Sequence, residues 1–264
     1  ANSLDDPVRR GRATGGVVSA WSEVDPPAAA QFAAENGVSF ERQEVLEVAA
    51  RRWADQDPQA ALDWARTLPD GDRLRASSSV LHAIAERNPG QAAAMYDDLR
   101  LSMPEESRSS RESRRMAAEV ASAWAHSAPS EAAAWAQQLP EAGEVRRAAV
   151  AEVAEHWLHV DPPAAGEWVL QLPDGEVRDA AAERVVGMTV HHDPAAAFQW
   201  ANSLSDEGHR TGMTREVLEQ WNHVDPPAAR NAFESAQVGP EQRRELAEVF
   251  GEELPLPEPE APAE

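Results

Sequence analysis

Four histidines, His126, His159, His191 and His223, each stand two residues ahead of an Ala-Pro or Asp-Pro step, and the corresponding position earlier in the chain holds Glu23, Asp55 and Glu86. Imidazole is the side chain whose ordinary titration falls near neutral pH. A series that changes from carboxylate to imidazole therefore makes a graded, pH-sensitive surface along which a partner protein or peptide can lie. A plainer account puts each residue in the last turn of a helix, where the helix dipole favours a histidinium. That account covers the histidines and leaves the three carboxylates unfavourable.

Two further groupings could do chemistry. His156 and His159 are three apart with Glu155 beside them, and His191 and His192 are adjacent one unit later. Imidazoles on facing turns suit zinc, copper or nickel. The run Glu155-His156-Trp157-Leu158-His159 lacks the zinc-protease pattern, which needs two histidines four apart with Glu after the first. A metal is the alternative for these four histidines, and no cofactor is expected. The stretch from Ser107 to Arg115 holds Arg108, Arg111, Arg114 and Arg115, the one locally basic run of an acidic chain. It can clasp an acidic partner, or be a solvated loop or an extended helix start. No Gly-rich phosphate loop, Gly-x-Ser-x-Gly elbow or cysteine nucleophile occurs, so no catalytic residue is expected.

The elements that position these residues repeat. Asp25-Pro26, Asp57-Pro58, Asn88-Pro89, Ala128-Pro129, Asp161-Pro162, Asp193-Pro194 and Asp225-Pro226 are spaced by 32, 31, 40, 33, 32 and 32 residues, so one unit carries about eight extra. A period in this range marks stacked helical units. Ahead of the fifth step, Val150, Val153, Ala154, Trp157 and Val160 follow the spacing of an amphipathic helix. Asp161 then reads as an N-cap, with Pro162 at the first helical position. Ala164, Ala165, Trp168 and Leu172 form the stripe of a second helix, which Leu172-Pro173-Asp174-Gly175 ends through a glycine able to take positive φ. Related terminators occur at Leu68-Pro69-Asp70-Gly71 and from Leu139 to Gly143. Only Ala128 lacks a capping side chain.

All nine tryptophans obey the register: Trp21, Trp53, Trp124, Trp157 and Trp221 precede the step by four residues, and Trp64, Trp135, Trp168 and Trp200 follow it by seven. At helical spacing beside paired alanines, these rings are expected in the core.

The unit, with its Trp in the first helix, its Ala pair in the second and the Pro after it, resembles the tetratricopeptide and Sel1-like repeat families. The stretch from Asp57 to Trp64 looks like the second helix of a Sel1-like unit. The resemblance implies an architecture of stacked helical hairpins and a role in gripping a protein or peptide. It implies no particular site residue.

Composition narrows the classes. The net charge is −22, and all 24 basic residues are arginine. Duplex nucleic acid, which needs a basic surface, is not an expected partner. No run of eighteen apolar residues is present, so no membrane insertion is expected. Carboxylates without lysine suit a protein kept soluble in high salt, or one from a GC-rich genome. The Ala1 start agrees with export, slightly favoured over a cytoplasmic location. The sequence predicts an all-α, right-handed α-solenoid of about seven helix-turn-helix repeats over residues 17–252. Residues 1–16 are read as a flexible segment, and residues 253–264 as a disordered Pro/Glu-rich tail. The function expected is that of a non-catalytic protein–protein interaction scaffold. The alternative is a periplasmic metal or small-ligand binder using the histidines.

Overall fold

The computed structural model describes residues 7–36, 39–140 and 143–252. These residues form fifteen α-helices and two short 3₁₀ turns, with no strand among them. In chain order the helices are α1 (Pro7–Ser22), α2 (Pro26–Asn36), α3 (Ser39–Gln56), α4 (Pro58–Thr67), α5 (Asp70–Ala85), α6 (Pro89–Ser102), α7 (Arg111–Ser127) and α8 (Pro129–Gln138). They continue with α9 (Glu144–Val160), α10 (Pro162–Gln171), α11 (Glu176–Thr189), α12 (Pro194–Asn202), α13 (Glu207–Val224), α14 (Pro226–Ser235) and α15 (Pro240–Ala247). The first fourteen pair as seven helix–turn–helix hairpins in the predicted register. Helix α1 takes in residues 7–16 as well as the expected start at 17, and the Pro/Glu-rich stretch 253–264 lies outside the described residues.

The repeated step works as one two-sided joint. In four hairpins a single residue, Asp57, Ala128, Asp161 or Asp225, separates the helices. A residue before proline is pushed out of the helical region by the proline ring. The six joints from Asp57 to Asp225 accordingly share φ between −141° and −148° and ψ between 72° and 91°. Each joint N–H donates to the carbonyl four residues back at 2.7–2.9 Å, and each joint carbonyl accepts from the amide four residues on at 3.0–3.1 Å. In the six Asp or Asn joints the side chain also accepts the N–H three residues on, at 3.0–3.1 Å. Ala128 adopts the same backbone without that bond. The proline therefore sets the turn, and the capping oxygen stabilises a helix start already in place.

Four residues after each joint stands alanine: Ala29, Ala61, Ala92, Ala132, Ala165, Ala197 and Ala229, all with 0% exposure. A methyl group is all this position can hold where one helix lies closely on the next. The chain divides into two compact units, residues 1–153 and 154–264, at a boundary within α9. In the first, α3 packs on both α1 and α5, and α5 on α7, while α2, α4 and α6 each pack against the first helix of their own hairpin and that of the next. In the second, α12 lies against α11, α13 and α14, and α15 packs on α13.

Helix ends are closed by devices only partly visible in the sequence. Gly143 and Gly175 take positive φ, 55° and 130°, as their terminators require. Gly71 does not, because α5 begins at Asp70 and takes this glycine into its first turn. Several carbonyls at the ends of second helices receive an arginine from the helix that follows. Arg146 Nε donates to Leu139 O at 2.6 Å, Arg210 to Leu204 O at 2.9 Å, and Arg243 to Ala236 O at 2.5 Å. A guanidinium satisfies such an orphan carbonyl and suits the negative end of the helix dipole. Asp179, seven residues after Leu172, reverses the arrangement: its buried carboxylate accepts the Ser205 and Asp206 amides and the Ser205 hydroxyl.

The tryptophans divide into two classes, which corrects the expectation that all are core. On second helices Trp64, Trp135 and Trp168 are at most 9% exposed, whereas Trp200 is half-buried. On first helices Trp221 is buried, Trp53, Trp124 and Trp157 are half-buried, and Trp21 is 37% exposed. The two rings of a hairpin face each other near the joint, at centroid separations of 5.5 Å for Trp53–Trp64 and Trp157–Trp168 and 6.2 Å for Trp124–Trp135. Trp53, Trp124 and Trp157 are thus covered in part by their partner rings and keep part of their surface open to water.

Candidate functional site

The seven residues two before the joints, Glu23, Asp55, Glu86, His126, His159, His191 and His223, are all exposed. The repeat explains this. The residues seven before the joints, from Val18 to Leu218, are buried at no more than 3% exposure, and five residues further along a helix is a turn and a half, which faces away.

In the first unit the three carboxylates are tied into the chain. Glu23 lies 3.7 Å from Arg52, Asp55 lies 3.3 Å from Arg87, and Glu86 lies 3.4 Å from His82. Arg87 also donates to the carbonyls of Ala54 and Asp55, at 3.2 and 3.4 Å. It thereby offsets the unfavourable placing of a carboxylate at a helix C-terminus. Exposed pairs of this kind contribute roughly 0–1 kcal/mol each, but they occupy the carboxylates.

The histidines of the second unit are arranged differently. His159 Nδ1 lies 2.8 Å from Glu155 O, and His223 Nδ1 lies 2.8 Å from Glu219 O. A carbonyl oxygen only accepts, so Nδ1 carries the proton in both rings. Each ring is thus held in one tautomer with Nε2 left for another partner. Glu155 itself turns to Arg184 at 3.2 Å. His191 and His192 are exposed, and His156 is half-buried. Among the described residues no group of three or more His, Asp or Glu side chains comes together as a metal site, so His156, His159, His191 and His192 are not assembled into one.

Three of the four arginines singled out in the basic stretch have internal duties. Arg108 donates to Met103 O and Leu101 O at 3.2 Å each, and so pins the loop between α6 and α7. Arg114 pairs with Glu144, and Arg115 with Glu119 at 2.8 Å. Arg147 and then Arg114 hold the Glu144 carboxyl below its usual range. Arg111 is exposed and opens α7. The extra residues of this unit lengthen α6 to 14 residues and add a 3₁₀ turn at Glu105–Ser107, so the basic stretch is mostly the start of α7.

One part of the surface corrects the sequence reading, which set Val160 in the apolar stripe ahead of the fifth joint. Val24, Val160 and Val224, each immediately before a joint, are 83%, 61% and 82% exposed. The signal was present as the string Val-Asp-Pro-Pro-Ala-Ala, which occurs in the first, fifth and seventh units. In the last two it is preceded by the histidine, so His159-Val160 and His223-Val224 are identical exposed pairs on identical joints.

No family model matches the chain, and neither a curated protein nor a solved structure does. The fold defines the class: an all-helical protein built from repeated helix–turn–helix hairpins. None of the described helices is long and apolar enough to cross a membrane.

Proposed function

We propose that this protein is a non-catalytic scaffold for protein–protein interaction, an α-solenoid of the tetratricopeptide-like kind, which holds a protein or peptide of a larger assembly. The observation that carries the reading is the repeated exposed pair His159-Val160 and His223-Val224, with the imidazoles fixed by the same 2.8 Å contact. Two identical surface pairs, each an oriented polar group beside a bare apolar one, are not required by the hairpin, because the joint at Asp57 is built without either residue. A partner that reads them needs acceptors or donors for Nε2 and an apolar group for each valine. His191, at the same position of the intervening hairpin, belongs to the same contact. The carboxylates of the first unit serve that unit's own cohesion.

The test is capture from the native source with the wild-type chain and with a triple variant, His159→Ala, His191→Ala and His223→Ala. All three residues are exposed, so the variant keeps the helical signal and melting temperature of the wild type. A stoichiometric protein recovered by the wild type and lost by the variant supports the reading. Equal recovery by both removes the histidines from it.

A further inference from the structure

We propose that the seam between α12 and α14 receives an aromatic side chain of the partner polypeptide. The seam holds an open groove of about 400 Å³, within the range of about 300–1,000 Å³ found for ligand sites. Phe198 and Trp221, both buried, line its inner side and belong to a core cluster that includes Phe233, Leu246 and Ala247. Ala195, Gln199 and Asn202 line it from α12, and Ala232, Ser235 and Ala236 from the last turn of α14.

The other hairpins show what this place holds. Eleven residues after Trp21, Trp53, Trp124 and Trp157 stand Phe32, Trp64, Trp135 and Trp168. Each of these rings faces its partner across the hairpin, at centroid separations of 5.5–6.2 Å. Eleven residues after Trp221 stands Ala232. The neighbouring Phe233 does not replace the ring, because it stacks on Phe250 at 5.3 Å. Phe198 reaches Trp221 from α12 instead, at 6.4 Å. At the equivalent seam between α10 and α12 the sizes are reversed: a Cβ added at Gly166 would lie 3.8 Å from the Trp200 ring. Gly166 and Phe198 are both five residues after their joints, and Trp200 and Ala232 both seven after theirs. An indole against glycine has thus become a phenyl against alanine. The groove is the space left where the facing ring of the seventh hairpin is missing, and its walls lack contact atoms on that side.

Charge and openness select the occupant. None of the nine residues lining the groove is charged, although 27% of the chain is. A charged group entering it would lose hydration and meet no counter-charge. A neutral planar ring gains edge or face contact with Phe198 and Trp221. The hydroxyls and one amide on the lining already serve the chain: Ser203 Oγ donates to Trp200 O at 2.8 Å, Ser235 Oγ to Asn231 O at 2.8 Å, and Gln242 Nε2 to Asn202 Oδ1 at 3.2 Å. The Gln199 amide is exposed at the rim and can bond the backbone that carries the ring. Ala195 and Ser235 are exposed as well, so the groove is open along its outer side. A free small molecule needs most of its surface buried, whereas a side chain presented by a polypeptide is an anchor that surrounding contacts complete.

The ring is a partner's, so the inference rests on the scaffold reading, and the test separates the two. Fluorine NMR of the full chain is titrated with the N-acetyl amide of a ring-fluorinated tryptophan, a neutral mimic of the side chain in a peptide. The wild type is expected to broaden the probe signal saturably. Ala232→Trp, which returns the ring of the other hairpins to the seam, should weaken binding roughly tenfold or more. Ala195→Glu should do the same by placing a carboxylate on the exposed rim. That residue lies in the first turn of α12, where an acidic side chain is favourable, so this variant keeps the wild-type melting temperature even if Ala232→Trp does not fold. No saturable binding up to the solubility limit of the probe overturns the proposal, and so does wild-type binding by either variant once folded. In capture from the native source, a protein recovered equally by the wild type and Ala195→Glu overturns the groove as its anchor and leaves the scaffold reading standing. A wild type that binds the probe and recovers no protein removes the scaffold reading, and with it a polypeptide as the occupant.

Discussion

Replacing Ala128 by Asn should make the protein more stable. Its joint has φ −147° and ψ 72°, against −145° and 77° at Asn88, so the side chain enters a backbone already shaped for it. At Asn88 the side-chain oxygen accepts the Gln91 amide at 3.1 Å, and the matching amide at the fourth joint is that of Glu131. Asn is preferred to Asp here because the chain already carries a net charge of −22. A capping side chain is worth about 0.5–2 kcal/mol over alanine. At this chain length 1 kcal/mol corresponds to roughly 2–4 °C in melting temperature if unfolding is cooperative. Urea titration followed by helical circular dichroism measures the gain, with Asn88→Ala and Asp161→Ala as reciprocal losses of similar size. If both reciprocal variants lose stability and Ala128→Asn gains none, the joints are not equivalent, and the argument from their common geometry fails.

Three further outcomes are expected. Asp97 is half-buried, and desolvation pushes its carboxyl above the usual range despite the 3.4 Å hydrogen bond from Trp135 Nε1. A raised carboxylate pKa in the folded state costs stability above the unfolded value, and the cost is relieved as pH falls. Asp97→Asn should therefore stabilise at neutral pH, with the advantage disappearing below the ordinary aspartate range near about pH 4 in acid titrations. Trp168→Ala, at a ring only 8% exposed, should cost roughly 3–5 kcal/mol in urea unfolding. Trp157→Ala, at the half-buried ring facing it, should cost clearly less; equal losses would contradict the division of the tryptophans. The melting temperature should rise with salt, because self-repulsion of an acidic chain is screened over about 10 Å at 0.1 M and about 3 Å at 1 M. A flat salt dependence would show that local ion pairs balance the repulsion.

The features legible in the sequence are those that local chemistry fixes. A proline dictates the backbone of the residue before it, and an Asp or Asn there reaches an amide three residues on, so the joints at Asp57 and Asp161 could be placed from their own neighbours. The exposure of His159 and His223 followed from helical spacing alone. Burial of a particular ring was not legible, because Trp157 and Trp168 both sit on an apolar helical stripe and their cover depends on which other helices surround them. The arginine ties were missed for a similar reason, although the seven-residue spacing of Leu139–Arg146 and Ala236–Arg243 was available. Helix α15 was not distinguished from the repeats. Its start at Pro240 after Gly239 was visible, but its closing role depends on Leu246, Ala247 and Phe250 reaching the preceding hairpin. The internal engagement of Arg108, Arg114 and Arg115 could not be read from a run of like charge.

The central claim, that the exposed histidine–valine pairs hold a protein partner, is tested most directly by site-specific photocrosslinking in the native source. Single cysteines placed at His159, at His223 and at the control position Gln171 on α10, in a chain without any other, carry the crosslinker. The account predicts the same protein crosslinked from His159→Cys and His223→Cys and absent from Gln171→Cys. Crosslinks equally strong from Gln171→Cys, or none from the two histidine positions, would contradict it.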